Sequence, residues 1–536
     1  MRTDKIVPLP PRGEPPASRT PPRAQLFPDD ESLLPEGSVV DGRYASHDVV
    51  DGADYVVIGT GAAGATAAVT LASAGYSVIL VEEGEWVRTK EFTADVDPAM
   101  KRMYRDLAAQ ITVGPATYAV FQGRCVGGST TINSAIALRA PDQVIERWGT
   151  AFGLGREVTP AILAPHFDAL EKSLNVVAVA ERVAGNHNTL FDKAAKQLGI
   201  QAQPIRRYDG GCLGSASCIT GCPNGKKLGM NITYVPQTLK HGARLYTSFK
   251  ALRLQTRWGR ATGVEAQAPT GAMAVFQASR GVVVAASVVQ TPGILKRSGV
   301  KLHALGRHFQ AQPGTSFVAR FDKTVAMDFG ATQGFNSTHF VESDRFKIES
   351  LSLPPELLTL NLPGIGPSLT SKLHDYKHLL NWAMVLRAET EGRVVSMFGK
   401  DLVMFAPTQS DLGRVRSGLK KLAELMFAAG AKEVWPNIRG MGALKGPDDL
   451  RMFDSAPLNP SYYSLMLSHL FGTARMGPDA RDAVVGTDFQ VHGLRGAYVV
   501  DASVFPTNLG VNPQHSIMAM ARLGATRIIE RPLPKI

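Results

Sequence analysis

Four cysteines in a chain of 536 residues are too few for a disulfide-stapled scaffold. No uninterrupted apolar run is long enough for a membrane-spanning helix. The most apolar stretch, 55–81, is broken by Gly59, Gly61 and Gly64. An apolar core region near the N-terminus is missing as well, so no signal peptide is expected. A cytoplasmic location is the expectation, with export beside a separately targeted partner or peripheral membrane association left open. Lys and Arg form no dense block: 58 basic and 47 acidic residues are spread along the chain, for a net charge of +11. No nucleic-acid-binding arm is therefore expected, and the diffuse positive surface suits an anionic small-molecule cofactor. What remains is a hydrophobic content of 44%, normal for a soluble globular chain. The length implies two or more domains.

The stretch that organises the rest is 55–82, Y-V-V-I-G-T-G-A-A-G-A-T-A-A-V-T-L-A-S-A-G-Y-S-V-I-L-V-E. A β-branched run ends in Gly59, Gly61 and Gly64, an Ala-rich helical segment follows, and a second apolar run closes on Glu82. That order of strand, turn, helix and strand gives the glycine pattern its meaning as a dinucleotide fingerprint. Gly59 allows the tight turn, Gly61 lets the backbone approach a pyrophosphate, and Gly64 lets helix and strand pack closely. Ala62 and Ala63 open the helix, whose free N–H groups and positive dipole end face the phosphates. Glu82 stands 18 residues past Gly64, placed with Glu83 beside it to accept from an adenosine ribose.

A second Gly/Ser-rich stretch, G-R-C-V-G-G-S-T-T-I-N-S-A-I-A-L-R (123–139), offers close backbone approach at Gly127 and Gly128. Ser129, Thr130 and Asn133 add hydrogen-bonding groups. After a dinucleotide fold, this stretch resembles the second flavin contact of the glucose–methanol–choline (GMC) oxidoreductase family. In some members of that family a His directly before the Asn binds the flavin covalently. Here that position is Ile132, which implies a non-covalent FAD. The stretch V-V-V-A-A-S-V-V-Q-T-P-G-I-L-K-R-S-G-V (282–300) resembles the second family signature, with Ser287 where Gly is usual. L-G-R-H-F-Q-A-Q-P-G (305–314) resembles the exit from the cofactor domain, with Gln312 where a His often precedes the Pro.

The resemblance implies a Rossmann-like α/β FAD-binding domain and an α+β substrate domain of sheet and helices. It divides the chain into a Pro-rich N-terminal arm (1–50), FAD-binding parts (51–150, 223–310 and 461–536), a cap or substrate segment (151–222) and a substrate-binding domain (311–460). Helices are expected near 163–174, 190–198 and 415–429. Strands are expected at 247–256, 281–290, 315–321 and 380–386. The apolar run 357–369 reads as a buried core loop or a substrate lid.

The last seventy residues carry H-L-F-G-T-A-R-M-G (469–477), then V-D-A-S and V-N-P within 497–521, blocks closely similar to the C-terminal signature of the family. By that resemblance His469 is the catalytic base and Asn512 its partner. Asp501, with Ala502, accepts from the flavin ribityl chain or fixes the pyrophosphate loop, a helix cap being the alternative; Pro513 belongs to the same cofactor contact. His515, three places beyond Asn512, is secondary. The expected reaction is oxidation of an alcohol to a carbonyl, with hydride passing to the flavin. Likeness to the long-chain alcohol oxidase and cholesterol oxidase branch implies a bulky or lipophilic alcohol. Oxygen, a quinone or a cytochrome could be the electron acceptor. One alternative turns on Cys212, Cys218 and Cys222, whose spacing could hold a three-iron cluster, as in cluster-bearing sugar dehydrogenases of the family; against it, C-I-T-G-C-P-N-G-K-K (218–227) resembles a C-x-x-G-C-P-x-G-x-K stretch of the long-chain alcohol oxidase branch that needs no cluster. A flavin-dependent lyase or decarboxylase on the same fold is a further alternative.

Overall fold

A computed structural model describes residues 26–397 and 399–536; the first half of the Pro-rich arm lies outside the described residues. The ends of Val49–Ile58 and Met273–Val284 and the whole of Val78–Val81 are largely β-branched runs whose residues are buried. Such runs suit parallel strands covered on both faces. Tyr55–Ile58 pair with Val78–Val81 on one side and with Gly281–Val284 on the other. Val282–Val284 in turn lie beside Ala497–Val499. These strands form the centre of a nine-stranded sheet. Ala62–Ser73 buries mostly Ala, Gly and Thr, small enough for the helix Gln514–Glu530 to pack directly on it.

Three expectations change here. Val39–Asp41 pairs in parallel with Arg244–Thr247, so the segment read as an arm contributes an edge strand from residue 39. The strand expected over 281–290 ends at Val284 and a helix, Ser287–Arg297, begins three residues later. The strand expected over 247–256 is two strands, Arg244–Thr247 and Lys250–Arg257, because Ser248 turns the chain at φ +60°.

The second layer is an eight-stranded, largely antiparallel sheet. Its main path runs from Ala119–Val120 through Met466–Phe471, Gln310–Arg320, Leu379–Leu386 and Phe346–Ser350 to Phe335–Ser337 and Gln203–Pro204. All eight residues of Leu379–Leu386 are buried, with the helix Gln409–Ala428 packed over that strand. Met466–Phe471 belongs to this layer, so the chain rejoins the cofactor sheet only at Gln490–Val491 and Leu494–Val499, not at 461. The helices expected at 163–174 and 190–198 are Pro160–Ser173 and Asn186–Gln197. The 357–369 run is buried on one face only. Leu358 and Leu362 pack inward, whereas Leu360 and Ile365 are 72% and 87% exposed.

Candidate active site

Between the two layers lies a cavity of about 1130 Å³, larger than an ordinary small-molecule pocket. The first glycine turn forms one end. Gly59 sits at φ +93°, and a Cβ on Gly64 would stand 2.0 Å from the Gly59 carbonyl oxygen. Gly61 caps the helix Ala62–Ser73 without any side-chain bond, leaving the first N–H groups free toward the cavity. Gly59, Gly61, Ala62, Ala63, Glu82 and Glu83 all line it; Gly64 works from behind, in the packing. Glu82, expected to accept from a ribose, also holds the turn. Its Oε2 accepts from Thr60 N (2.9 Å) and Thr60 Oγ1 (2.7 Å), and its Oε1 from Gly84 N (2.9 Å). Burial, only partly offset by these bonds, pushes its pKa up. Glu83 takes the Arg105 guanidinium at 2.7 Å; this ion pair and Arg124 outweigh burial and hold its pKa down.

The second glycine turn packs against the first. A Cβ on Gly128 would lie 2.9 Å from Gly61 Cα. Gly128, Ser129 and Asn133 line the cavity, whereas Gly127 does not. Ser129 Oγ accepts from Gly123 N (2.9 Å), and Asn133 Nδ2 donates to Gln514 Oε1 (2.6 Å). Asp501, Ala502, Asn512 and Pro513 close the same wall. The carboxylate of Asp501 is occupied as a cap: it accepts from Ser287 N (2.9 Å), Thr291 Oγ1 (2.6 Å) and Ser503 N (2.8 Å). Ser287 holds the left-handed conformation, at φ +80°, that the more usual Gly would take freely. Its hydroxyl accepts from Gln122 Nε2 at 2.6 Å.

His469 arrives from the substrate sheet. Ala311 pairs with Leu470 and Pro313 with Leu467, so the single residue Gln312 faces both Ser468 and His469. This bulge re-aims the side chain, as bulges beside functional sites do. The ring lines the cavity, half-buried, with Nδ1 2.8 Å from Gln312 Oε1. The Gln312 amide is placed with its oxygen toward the ring, and in that placement Nδ1 carries the proton and Nε2 keeps its lone pair. Burial, aided by the Lys347 ammonium, pushes the His469 pKa down to about 3. Asn512 is buried, and its Oδ1 accepts from Lys347 Nζ at 2.6 Å. Lys347 also pairs with Glu349, a cavity-lining carboxylate. His515 is wholly buried between Tyr208 Oη (2.7 Å) and Glu171 Oε1 (3.2 Å), a packing role.

The cysteines do not assemble a cluster site. Among the described residues no three His, Cys, Asp or Glu side chains stand together as a metal-holding group. Cys218 Sγ accepts from the buried Arg207 (3.3 Å), Cys212 Sγ from Gly214 N (3.4 Å) and Cys222 Sγ from Lys226 N (3.4 Å). Burial would raise the Cys218 pKa, but Arg207 and Lys227 outweigh it and bring it down. The segment works as a clamp. Lys227 Nζ donates to the carbonyls of Thr131 (2.5 Å), Asn133 (2.9 Å) and Cys218 (2.5 Å), tying the second glycine turn in place. Sequence motifs do not reveal three features: Lys227 in this clamp, Gln312 behind His469 and Lys347 behind Asn512. Gln312 left a signal as a departure from the family pattern and Lys227 as the closing Lys of the 218–227 stretch; Lys347 left none.

Comparison with known proteins decides the family. The GMC oxidoreductase N-terminal and C-terminal family profiles match residues 53–314 and 402–521. This chain is a GMC oxidoreductase. An uncharacterized GMC-type oxidoreductase of Mycobacterium tuberculosis is 35% identical over 482 residues, covering 89% of this chain and 76% of the relative. A long-chain-alcohol oxidase of Arabidopsis thaliana is 26% identical, covering 89% and 66%. The structure of an Aspergillus oryzae formate oxidase variant superposes with a TM-score of 0.70 at 17% identity, covering 89% of this chain and 98% of the other. Membership implies an FAD-dependent oxidoreductase, and this GMC chain has the groups to hold the cofactor. The uncapped helix N-terminus suits the pyrophosphate. Gln122 Oε1, Gln290 Oε1 and Thr315 Oγ1, buried without protein partners, line the cavity and are free to accept or donate. No helix among the described residues of this GMC oxidoreductase is long and apolar enough to cross a membrane.

Proposed function

We propose that this oxidoreductase converts a bulky or lipophilic alcohol to its carbonyl, with His469 as base. The observation that carries the reading is that His469 and Asn512 line one cavity together with both glycine turns. Non-covalent FAD, with Ile132 in the place of a linking His, would supply the hydride acceptor. The hydroxyl proton passes to His469 Nε2, while Nδ1–H stays bonded to Gln312 and holds the ring plane. The Asn512 amide N–H donates to the substrate oxygen and limits its motion. Beyond this pair the cavity is walled by Ile111, Val113, Leu353, Leu357, Val385 and Met466. Such a wall excludes water and favours an apolar substrate body. The long-chain-alcohol oxidase relatives support the same class.

Anaerobic mixing of the FAD-loaded protein with alcohols of increasing chain length, and with a sterol, tests this. Flavin bleaching should strengthen as apolar area grows. His469→Ala should keep its FAD and lose about 10²–10⁴-fold in reduction rate. Undiminished bleaching in that variant, or a preference for short polyols, would overturn the reading.

A further inference from the structure

Lys347 is fully buried, at 0% exposure, in a part of the chain without a recognisable motif. It lies two residues from Glu349 on the strand Phe346–Ser350, so both side chains project from one face. The register sets Lys347 opposite Val385 and Glu349 opposite Ala383, and both partners line the cavity. Packing alone does not call for an ion pair there, since apolar side chains of similar volume commonly replace such pairs without loss of stability. What the pair does is reach across to Asn512, in the chain segment that leads into Gln514–Glu530.

We propose that Lys347 is a positioning residue, fixing the Asn512 side chain so that its amide N–H₂ faces the cavity and the substrate oxygen. The inference rests on the alcohol-oxidising role given above to His469 and Asn512. An ammonium has three donors and no acceptor, so the Asn512 atom facing it must be the oxygen. The amide nitrogen, on the same carbon, then points away from Lys347, and no hydrogen bond to protein occupies it among the described residues. The opposite orientation would place an acceptor in the cavity, where it would compete with His469 for the hydroxyl proton. Lys347 excludes that orientation, and Glu349 makes the buried ammonium tolerable by neutralising it.

A second effect follows from position. The ring of His469 is surrounded by few charges. Gln310–Arg320 presents the neutral Gln312 to it, and Ala119–Val120 carries no charge. Asp501 is bound by three donors, and Glu349 is bound by Lys347. Burial is the larger cause of the lowered His469 pKa, and the Lys347 ammonium adds to it.

The test is the double variant Lys347→Met/Glu349→Gln, which removes both charges and keeps the volumes close. It should load FAD. Its flavin reduction by the best alcohol should slow on the order of 10²-fold, with little change in KM. In ¹⁵N-histidine NMR spectra of the FAD-free protein, with His469→Gln as the assignment control, the parent His469 should remain neutral with its proton on Nδ1 down to acid pH. In the double variant its titration should begin at higher pH. A double variant with parental reduction rate and parental His469 titration overturns the proposal. Should it not fold, Asn512→Asp provides an independent test. Lys347 would hold the new carboxylate, the cavity would receive an acceptor in place of a donor, and the rate should fall at least as far. Parental reduction by Asn512→Asp overturns the proposal too. If no alcohol reduces the parent flavin, the alcohol reading fails, whereas the NMR comparison still decides whether Lys347 sets the state of His469.

Discussion

The cofactor end of the cavity is built from backbone: turns at Gly59–Gly61 and Gly127–Gly128, a helix N-terminus, and carboxylates such as Asp501 that hold those turns in shape. The reaction end is built from side chains presented by strands: His469, Gln312, Lys347 and Glu349, with Asn512 brought in from the neighbouring segment. Backbone sites need glycine wherever a Cβ would collide, and so leave a readable pattern. Side-chain sites on a sheet need only the right residue at an inward position, which any alternating strand provides. The difference teaches where substitutions will be felt as loss of fold and where as loss of rate.

The largest effect expected from breaking that contrast is at Gly64. A Cβ there would meet the Gly59 carbonyl oxygen at 2.0 Å and the Ala285 Cβ at 3.3 Å, with no flexible tip to yield. Gly64→Ala should destabilise by about 3 kcal/mol or more and abolish FAD retention. Gly413, in the helix Gln409–Ala428, has nothing within 4 Å of its Cβ position. Gly413→Ala should instead stabilise by up to about 1 kcal/mol. Urea unfolding of the two variants, with flavin content measured alongside, checks both. Equal tolerance would mean that the glycine turns are not sterically fixed.

Next in size is an acid sensitivity shared by the two regions. His515, on the cofactor-side helix, and His187, beneath the substrate sheet, are fully buried, and burial pushes each pKa down to about 4. In the unfolded chain each would titrate near 6.5. Below that pH the unfolded state takes up protons that the folded state refuses. Their contribution is thus intact above about pH 6.5 and is lost as pH falls toward 4, by roughly 3 kcal/mol for each ring. The urea midpoint should drop steeply across this window. A flat midpoint would mean that the rings accept protons in place.

The smallest effect should be at Ser287, where the cofactor end carries a residue its backbone does not favour. Ser287→Gly relieves a left-handed strain of about 1 kcal/mol and gives up the bond from Gln122, worth about as much. Thermal unfolding should place the variant within about 1 kcal/mol of the parent, with its FAD content unchanged. A larger loss would show that the hydroxyl, not the backbone turn, is what the position requires.

These cases also mark how far the sequence is legible. The 55–82 run shows its strand, turn and helix through period, glycine spacing and small side chains, and the C-terminal blocks point to His469 and Asn512. Glu82 and Asp501 are marked as important, but spacing does not show that both also accept from backbone N–H and Thr hydroxyl groups of the same protein. The cysteine segment is a related case: closeness in sequence does not make three thiols converge, and among the described residues Cys218 is held by Arg207 while Lys227 clamps the second glycine turn. Lys347 is invisible beforehand, because its meaning depends on a partner 165 positions away. Gln312 is visible only as an oddity, until the bulge places it against His469.

The strand that bears His469 and the segment that bears Asn512 belong to different layers, and Lys347 spans the gap between them. The unit of inheritance in this enzyme is therefore not the substrate layer as a module. A chimera that exchanged residues 311–471 with a relative would import a new His469 position together with a new Lys347 position, while leaving the native Asn512 behind. Its success would hinge on whether one buried ammonium from the donor still meets one amide oxygen from the host.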